Sequence, residues 1–421
     1  MSEKKFIIKA VGVPEFDSNL KIDTQLFIDE SDRIMHHDEA KKYSCDGRTA
    51  DAMEPAGPRE RIFFNPHEVI CGVVTCGGLC PGLNDVIRSI TLTALLQYKI
   101  RRVIGFYYGF NGLAANPYRQ PVELTTGSVA GIQHLGGTIL GSSRGPQDPV
   151  EMVDTLTKYG INILFVIGGD GTFKGASAVV REIERRGLKI SVIGVPKTID
   201  NDIYGIENSF GFATAVEQAR TAIAAAHEEA QAAYNGIGLV KLMGRDSGFI
   251  AVSASLANSD VNFCLIPEMD FSIQKFMSDL EKRLKAKHHA VIVVSEGAGQ
   301  HFLEATGIKD ESGNVRYADI GQFLKTTIKG HFSSKGQNVV VKYIDPSYMI
   351  RSCPSNAWDS TYCLMLGEMA VHAGMAGKTD MFVGYTNQHY MHVPFEYAVG
   401  RRKQVDPKGY HWQTIEAINK I

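Results

Sequence analysis

One aspartate sits among four glycines in the stretch FVIGGDGTFKGA, residues 165–176. Bare backbone at Gly168, Gly169, Gly171 and Gly175 lets a bulky anion reach main-chain amides, and a hard cation such as Mg²⁺ wants a carboxylate beside phosphate oxygens. Asp170 therefore reads as the acid that addresses a metal-bearing polyphosphate, and the competing reading is a plain turn. Two further stretches carry similar chemistry. TCGGLCPGLN (75–84) runs into the helical DVIRSITLTALLQ, so bare amides and a helix N-terminus would face an anion, unless Gly77 and Gly78 only make a tight turn. VPKTIDND (195–202) sets Asp200 and Asp202 two residues apart, and an extended segment would send both carboxylates to one side. One acid would then act as a base and the other through a metal; the alternative is an Asx-rich turn.

These loops need elements that hold them. From residue 69 onward short apolar runs alternate with longer helical stretches, the pattern of parallel strands joined by crossover helices. The predicted strands are ICGVVT (70–75), ILFVIG (163–168), ISVIGV (190–195), IGLVKLM (237–243), FCLIP (263–267) and AVIVVSE (290–296). Several end in glycine, acid or lysine at the C-terminal edge, where open α/β sheets bind ligands. SIQKFMSDLEKRLKAK predicts an amphipathic helix behind Ser272 as N-cap, with Ile273, Phe276, Met277, Leu280 and Leu284 facing the core.

Composition narrows the function. A chain of 421 residues exceeds what one core usually fills, so two domains and an appendage are expected. Forty-four basic against 46 acidic residues give a net charge of −2, which offers no electrostatic footprint for nucleic acid or a membrane surface. No run of eighteen apolar residues occurs and the start MSEKKFIIKAVG lacks a secretory pattern, so a cytoplasmic protein is expected. Seven cysteines (45, 71, 76, 80, 264, 353, 363) fit reduced thiols better than a disulfide scaffold. Cys76 and Cys80 lack the second Cys/His pair that a zinc site would need. There is no G-x-x-x-x-G-K-[ST] and no H-R-D with D-F-G, so neither common kinase architecture applies.

The motifs TCGGLCPGLN, GGTILGSSRG (136–145), GGDGTFKGA, PKTIDND, KLMGRDSGFIA (241–251), PEMDF (267–271) and SEGAG (295–299) follow the order seen in 6-phosphofructokinases, over about residues 58–390. With PRERIFFNPHEV ahead of them, they resemble the long subgroup of plants, protists and some bacteria, which is related to pyrophosphate-dependent enzymes yet includes ATP users. The resemblance implies two Rossmann-like domains with mainly parallel sheets. It assigns 1–68 to an N-terminal extension, 69–211 and 350–396 to a nucleotide-binding domain, and 212–349 with 397–421 to a sugar-phosphate domain. The active cleft is expected between the two.

The implied reaction is Mg²⁺-dependent phosphoryl transfer from ATP to the 1-hydroxyl of fructose 6-phosphate, a glycolytic step. By the resemblance Asp200 is the general base, Arg245 meets charge on the transferring group, and Thr198 bonds the phosphoryl. Asp170 and Asp202 belong to the metal. Gly77, Gly78, Arg144, Gly169, Gly171, Thr172 and Gly175 match the ATP loops, with Lys174 and Lys197 adding charge and Tyr108 or Phe110 near the adenine. Met243, Gly244 and Glu296 match the sugar contacts, and Lys342, Tyr348 and Arg351 the 6-phosphate grip.

Donor choice rests on two positions. Pyrophosphate users typically carry a second aspartate where this chain has Gly171, whereas Lys197 is the pyrophosphate-type residue that ATP-dependent long enzymes also keep. ATP is the expected donor and pyrophosphate the alternative; a catalytically silent nucleotide-binding subunit is the reading from another class. Gly236 and Leu92 stand where short bacterial relatives have a cross-subunit arginine and an effector-binding arginine. The resemblance implies an allosteric homotetramer, or a homodimer, but control by ADP or phosphoenolpyruvate at the usual site is not expected.

Overall fold

The computed structural model describes residues 6–35, 52–304, 307 and 317–418. Cys45, the first five residues and most of the charged stretch up to residue 51 lie outside the described residues. The chain divides into two compact units. The larger comprises Met1–Thr198, Ile203–Gly211 and Ser352–Arg401, and the smaller Ile199–Asp202, Phe212–Arg351 and Arg402–Ile421.

The larger unit is built on a mainly parallel sheet. Among the described residues its strands run in the order Ile34–Met35, Ala52–Pro55, His389–Pro394, Met381–Thr386, Ser191–Pro196, Ile163–Gly168, Ile70–Thr75, Arg102–Phe106 and Val122–Leu124. The central strands ILFVIG and SVIGVP are buried at every position, as strands covered on both faces must be. Their register places Pro196 beside Gly168, and Thr75 beside Ile167. Three C-terminal strand ends therefore stop within one residue of each other, and the loops TCGG, GGDG and PKT all leave from the same edge.

The smaller unit holds four parallel strands in the order Phe263–Leu265, His289–Ser295, Gly236–Leu242 and Val340–Ile344. Alternation sends Val240, Leu242, Val291 and Val293 to one core and Ile237, Leu239, Ile292 and Val294 to another. Helices Phe212–Gln231 and Phe249–Asn258, with Trp412 and Ile415, cover the first; Ile273–Lys287 and Ile320–Ser334 cover the second. Leu242 pairs with Ser295, so MGRDSG and SEGAG leave side by side.

The expected strands are present, with ends shifted by one or two residues. Ser272 caps its helix by accepting from the Lys275 amide at 3.4 Å, and Phe276, Met277, Leu280 and Leu284 are buried. Strands Arg102–Phe106, Val340–Ile344 and the hairpin Met381–Thr386/His389–Pro394 were not anticipated. The hairpin turns through Asn387 (φ 50°) and Gln388 (φ 63°), a left-handed pair without the glycine that usually marks such a turn. Among the described residues no cysteine forms a disulfide, and no three His, Cys, Asp or Glu side chains gather to hold a metal unaided.

The N-terminal stretch contributes strands to the larger unit: Lys9–Ala10 pairs with Lys378–Thr379, Phe16–Asp17 with Arg61–Ile62, and Ala52–Pro55 with the sheet. Glu54 anchors it. Its Oε1 lies 2.9 Å from Arg59 Nη2 and 2.9 Å from Lys378 Nζ, and accepts from His392 Nδ1 at 3.0 Å. Burial alone would raise the Glu54 pKa, yet the His392 hydrogen bond and the Lys378 charge bring it well below the ordinary 4.5, while burial lowers that of His392. An acid whose folded pKa is depressed adds stability above its ordinary pKa and loses that contribution as pH falls below it. Glu54→Gln is expected to leave buried Arg59 and Lys378 with only the half-exposed Glu30 as carboxylate partner, at 3.1 Å and 2.7 Å, and to cost about 3 kcal/mol at neutral pH. Denaturant unfolding followed from pH 7 to pH 3 should show the difference shrinking toward the acid end.

Candidate active site

In the larger unit the strand register delivers a cationic glycine cradle. Gly77 takes φ 86°, donates to the Ser143 carbonyl at 3.0 Å, and accepts from Ser142 Oγ at 2.6 Å. Lys197, buried at the end of Ser191–Pro196, donates to the Gly78 carbonyl at 2.7 Å and through its amide to the Gly168 carbonyl at 2.9 Å. A Cβ on Gly77 would lie 3.1 Å from Lys197 Nζ, and one on Gly78 3.3 Å from Arg144 Nη2. Gly77, Gly78, Arg144 and Lys197 are thus brought together, two cations pressed against bare backbone.

Gly169 then caps the helix Asp170–Arg185 in extended conformation. Asp170 occupies the first turn, where an acid suits the helix dipole, and its Oδ1 accepts from the Gly400 amide at 2.9 Å. The glycines of this loop serve different ends. Gly175 packs on Phe110, whose ring carbon would sit 2.7 Å from a Cβ there, and Phe110 belongs to the core. Thr172 lies against Gly168 in the same way. Gly171 is different: a Cβ on it would meet nothing within 4 Å. Lys174 is exposed on the same helix, and Tyr108 stands at φ 58° beside Gly141. Thr198 closes the segment, its carbonyl accepting from Ser209 Oγ at 2.6 Å.

In the smaller unit a cluster of acids and guanidinium groups forms where Gly236–Leu242 and His289–Ser295 end. Asp200 and Asp202 do not share a side by extended alternation as their spacing predicts: residues 199–200 turn and Asn201 takes φ 55°. The turn still keeps the carboxyls coupled. Burial, then the charges of Asp202 and Glu296, hold the Asp200 pKa well above the usual carboxylate range, against the Arg245 amide that donates to it and the charge of Arg402. Glu296 is raised by burial and countered by Lys241, Arg245 and Arg351. Asp202 is buried, and its Oδ2 accepts from Arg402 Nη1 at 2.7 Å.

Gly244 takes φ 124°, and a Cβ there would come 2.6 Å from the Ser247 carbonyl, so the tight turn after buried Met243 requires glycine. This turn sets Arg245, whose guanidinium lies 4.5 Å over the Tyr317 ring. Arg351 stacks at 4.5 Å on Tyr348. Lys342 is placed mid-strand beside Gly238, and its ammonium pairs with Glu229 at 2.9 Å. At Gly236 the Ala230 carbonyl occupies the Cβ position, at 2.0 Å, so no side chain fits there at all. Residues the sequence reading missed include Lys241, 2.8 Å from Asp345, and Arg402. A lysine inside the apolar run IGLVKLM was a usable signal; Arg402 offered none, because its partner lies 200 residues away.

Asp170 in the larger unit and Asp202 in the smaller are each a hard oxygen donor of the kind Mg²⁺ takes beside phosphate and water. The distinction between the glycines can be checked by stability. Gly171→Ala is expected to be neutral or to gain up to about 1 kcal/mol from helix propensity. Gly175→Ala should instead lose about 1–2 kcal/mol by crowding Phe110, as read in urea midpoints.

A phosphofructokinase family model matches residues 70–374. The ATP-dependent 6-phosphofructokinase of Borreliella burgdorferi is 51% identical over 373 residues, covering 86% of this chain and 83% of that protein. The ATP-dependent 6-phosphofructokinase of Trypanosoma brucei brucei is 48% identical over 399 residues, covering 93% of this chain and 82% of its own length. Among solved structures, a pyrophosphate-dependent phosphofructokinase from Marinobacter aquaeolei has a TM-score of 0.70 at 19% identity, covering 84% of this chain and 91% of that chain, a likeness of fold. With strand-end loops, glycine cradle and acid–guanidinium cluster carried along the matched stretch, the chain belongs to the phosphofructokinase family.

Proposed function

We propose that the chain is an ATP-dependent 6-phosphofructokinase that transfers the γ-phosphoryl group of ATP to the 1-hydroxyl of fructose 6-phosphate, giving fructose 1,6-bisphosphate. The observation that carries it is the loop cluster in which Asp200 accepts from the Arg245 amide beside Glu296. Asp200 takes the proton of the attacking hydroxyl. Arg245 neutralises charge that grows on the transferred group, where a fixed cation is worth most. Thr198 contacts that group, and Met243, Gly244 and Glu296 hold the sugar. Arg351, stacked on Tyr348, grips the 6-phosphate. Lys342 is the weakest member of that grip, since Glu229 already engages it.

Residues 69–211 with 350–396 serve the nucleotide, through Gly77, Gly78, Arg144, Gly169, Gly171, Thr172, Lys174, Gly175 and Lys197, and 212–349 with 397–421 serve the sugar phosphate. Asp170 and Asp202 would hold Mg²⁺, which when bound shields the polyphosphate charge. The relatives' names favour ATP. Glycine at 171 supports the same donor, because it places no side-chain carboxylate at the position where pyrophosphate users typically carry a second aspartate. Lys197 favours pyrophosphate as the second reading. A homotetramer or homodimer in the cytoplasm completes the proposal; no described helix is long and apolar enough to cross a membrane.

A coupled assay at matched Mg²⁺ compares the donors. Turnover with ATP is expected to exceed that with pyrophosphate by at least about tenfold, and the reverse order would falsify the donor assignment. Asp200→Ala should lower kcat by about 10²-fold or more, with a smaller change in KM, as loss of a general base does.

A further inference from the structure

Residues 402–405 bind three separate loops of the smaller unit in four consecutive positions. Arg402 Nη1 donates to Asp202 Oδ2 at 2.7 Å, and its Nε lies 4.0 Å from Asp246 Oδ2. The Lys403 amide donates to the Asp202 carbonyl at 2.9 Å, while its own carbonyl accepts from Ser247 Oγ at 2.6 Å. Gln404 Nε2 donates to the Asp246 carbonyl at 3.1 Å. The Val405 amide donates to Glu268 Oε1 at 2.8 Å, and Glu268 also takes the Gly248 amide at 2.9 Å. Val405 itself is buried in the core that Trp412 and Ile415 complete, so the segment is fastened below as well as along its length.

The loops joined in this way are IDND, GRDSG and PEMDF, which carry Asp200 and Arg245. Asp202 is a buried carboxylate two residues from a second carboxylate, and such a pair needs a cation nearby to remain in place. We propose that Arg402 is a positioning residue for phosphoryl transfer: by holding Asp202 it fixes the turn that aims Asp200, and the 402–405 segment locks that turn to the Arg245 loop. It acts through Asp202 and is not itself a catalytic residue. This inference rests on the proposed reaction, but the contact it invokes is measurable without turnover.

Arg402→Ala is expected to lower kcat between about 10- and 100-fold while the KM values for fructose 6-phosphate and ATP move less than about threefold, the pattern of a displaced base. Arg402→Lys should recover much of the loss because it keeps a cation within reach of Asp202. Hydrogen–deuterium exchange should accelerate in the peptide spanning 199–204 and stay unchanged in strand His289–Ser295. A kcat within about twofold of the parent overturns the proposal whatever the exchange shows. If the alanine variant fails to fold, Arg402→Gln is measured against the same limits. A parent protein inactive on ATP and fructose 6-phosphate would end the proposed reaction instead, and unchanged exchange at 199–204 in Arg402→Ala would then overturn the positioning role separately.

Discussion

Parallel pairing of strands with a fixed register is the constraint on which the candidate site depends. Ser191–Pro196 and Ile163–Gly168 run in step to their last residues, and Ile70–Thr75 stops one position short of them. Backbone hydrogen bonds then continue past the strands: the Lys197 amide bonds the Gly168 carbonyl and the Cys76 amide the Ile167 carbonyl. Three glycine-bearing loops cannot choose their own heights. A slip of one residue would turn every buried side chain of a central strand to the opposite face, so the hydrophobic core fixes the position of the phosphate-type chemistry. The smaller unit repeats the principle at Leu242 and Ser295, where the Glu296 amide bonds the Leu242 carbonyl at 2.9 Å.

Charge is managed locally in each unit. Lys197 is buried and its ammonium donates to the Gly78 carbonyl group, so a cation is held against bare glycine backbone in the cradle. In the smaller unit the arrangement is reversed. Three acids, Asp200, Asp202 and Glu296, are desolvated together, and guanidinium groups from Arg245, Arg351 and Arg402 offset them. Concentrating acids in a desolvated loop costs stability, and regions of this kind are more often functional than structural. The ion set around Glu54 is the structural counterpart: the same physics of buried opposite charges is used there to fasten the N-terminal stretch, with Arg59 donating also to the Pro55 and Gly57 carbonyl groups.

Much of this was legible along the chain. Apolar runs such as ILFVIG identify themselves because a strand buried on both faces needs no alternation, and Ser272 announces its helix through a local cap. What the chain hid was of a different kind. Val340–Ile344 lies at the edge of its sheet and interleaves Lys342 with apolar residues, and the hairpin at 387–388 uses Asn-Gln in place of glycine. The two-residue spacing of Asp200 and Asp202 suggested an extended segment, but the left-handed Asn201 between them breaks the alternation on which that geometry relied.

The sequence by itself determined the element types, the order of the motif loops and the presence of acids, glycines and arginines at their tips, because those follow from local periodicity and from residue chemistry. Tertiary structure decided what each of these residues touches. Gly175 proved to be a packing residue and Gly171 an open one only when Phe110 was in place. Arg402 joined Asp202 only because the chain returned after 200 residues to meet it. Contacts of that separation leave no trace in neighbouring residues, since they are set by strand register and core packing, which act through space and not along the chain.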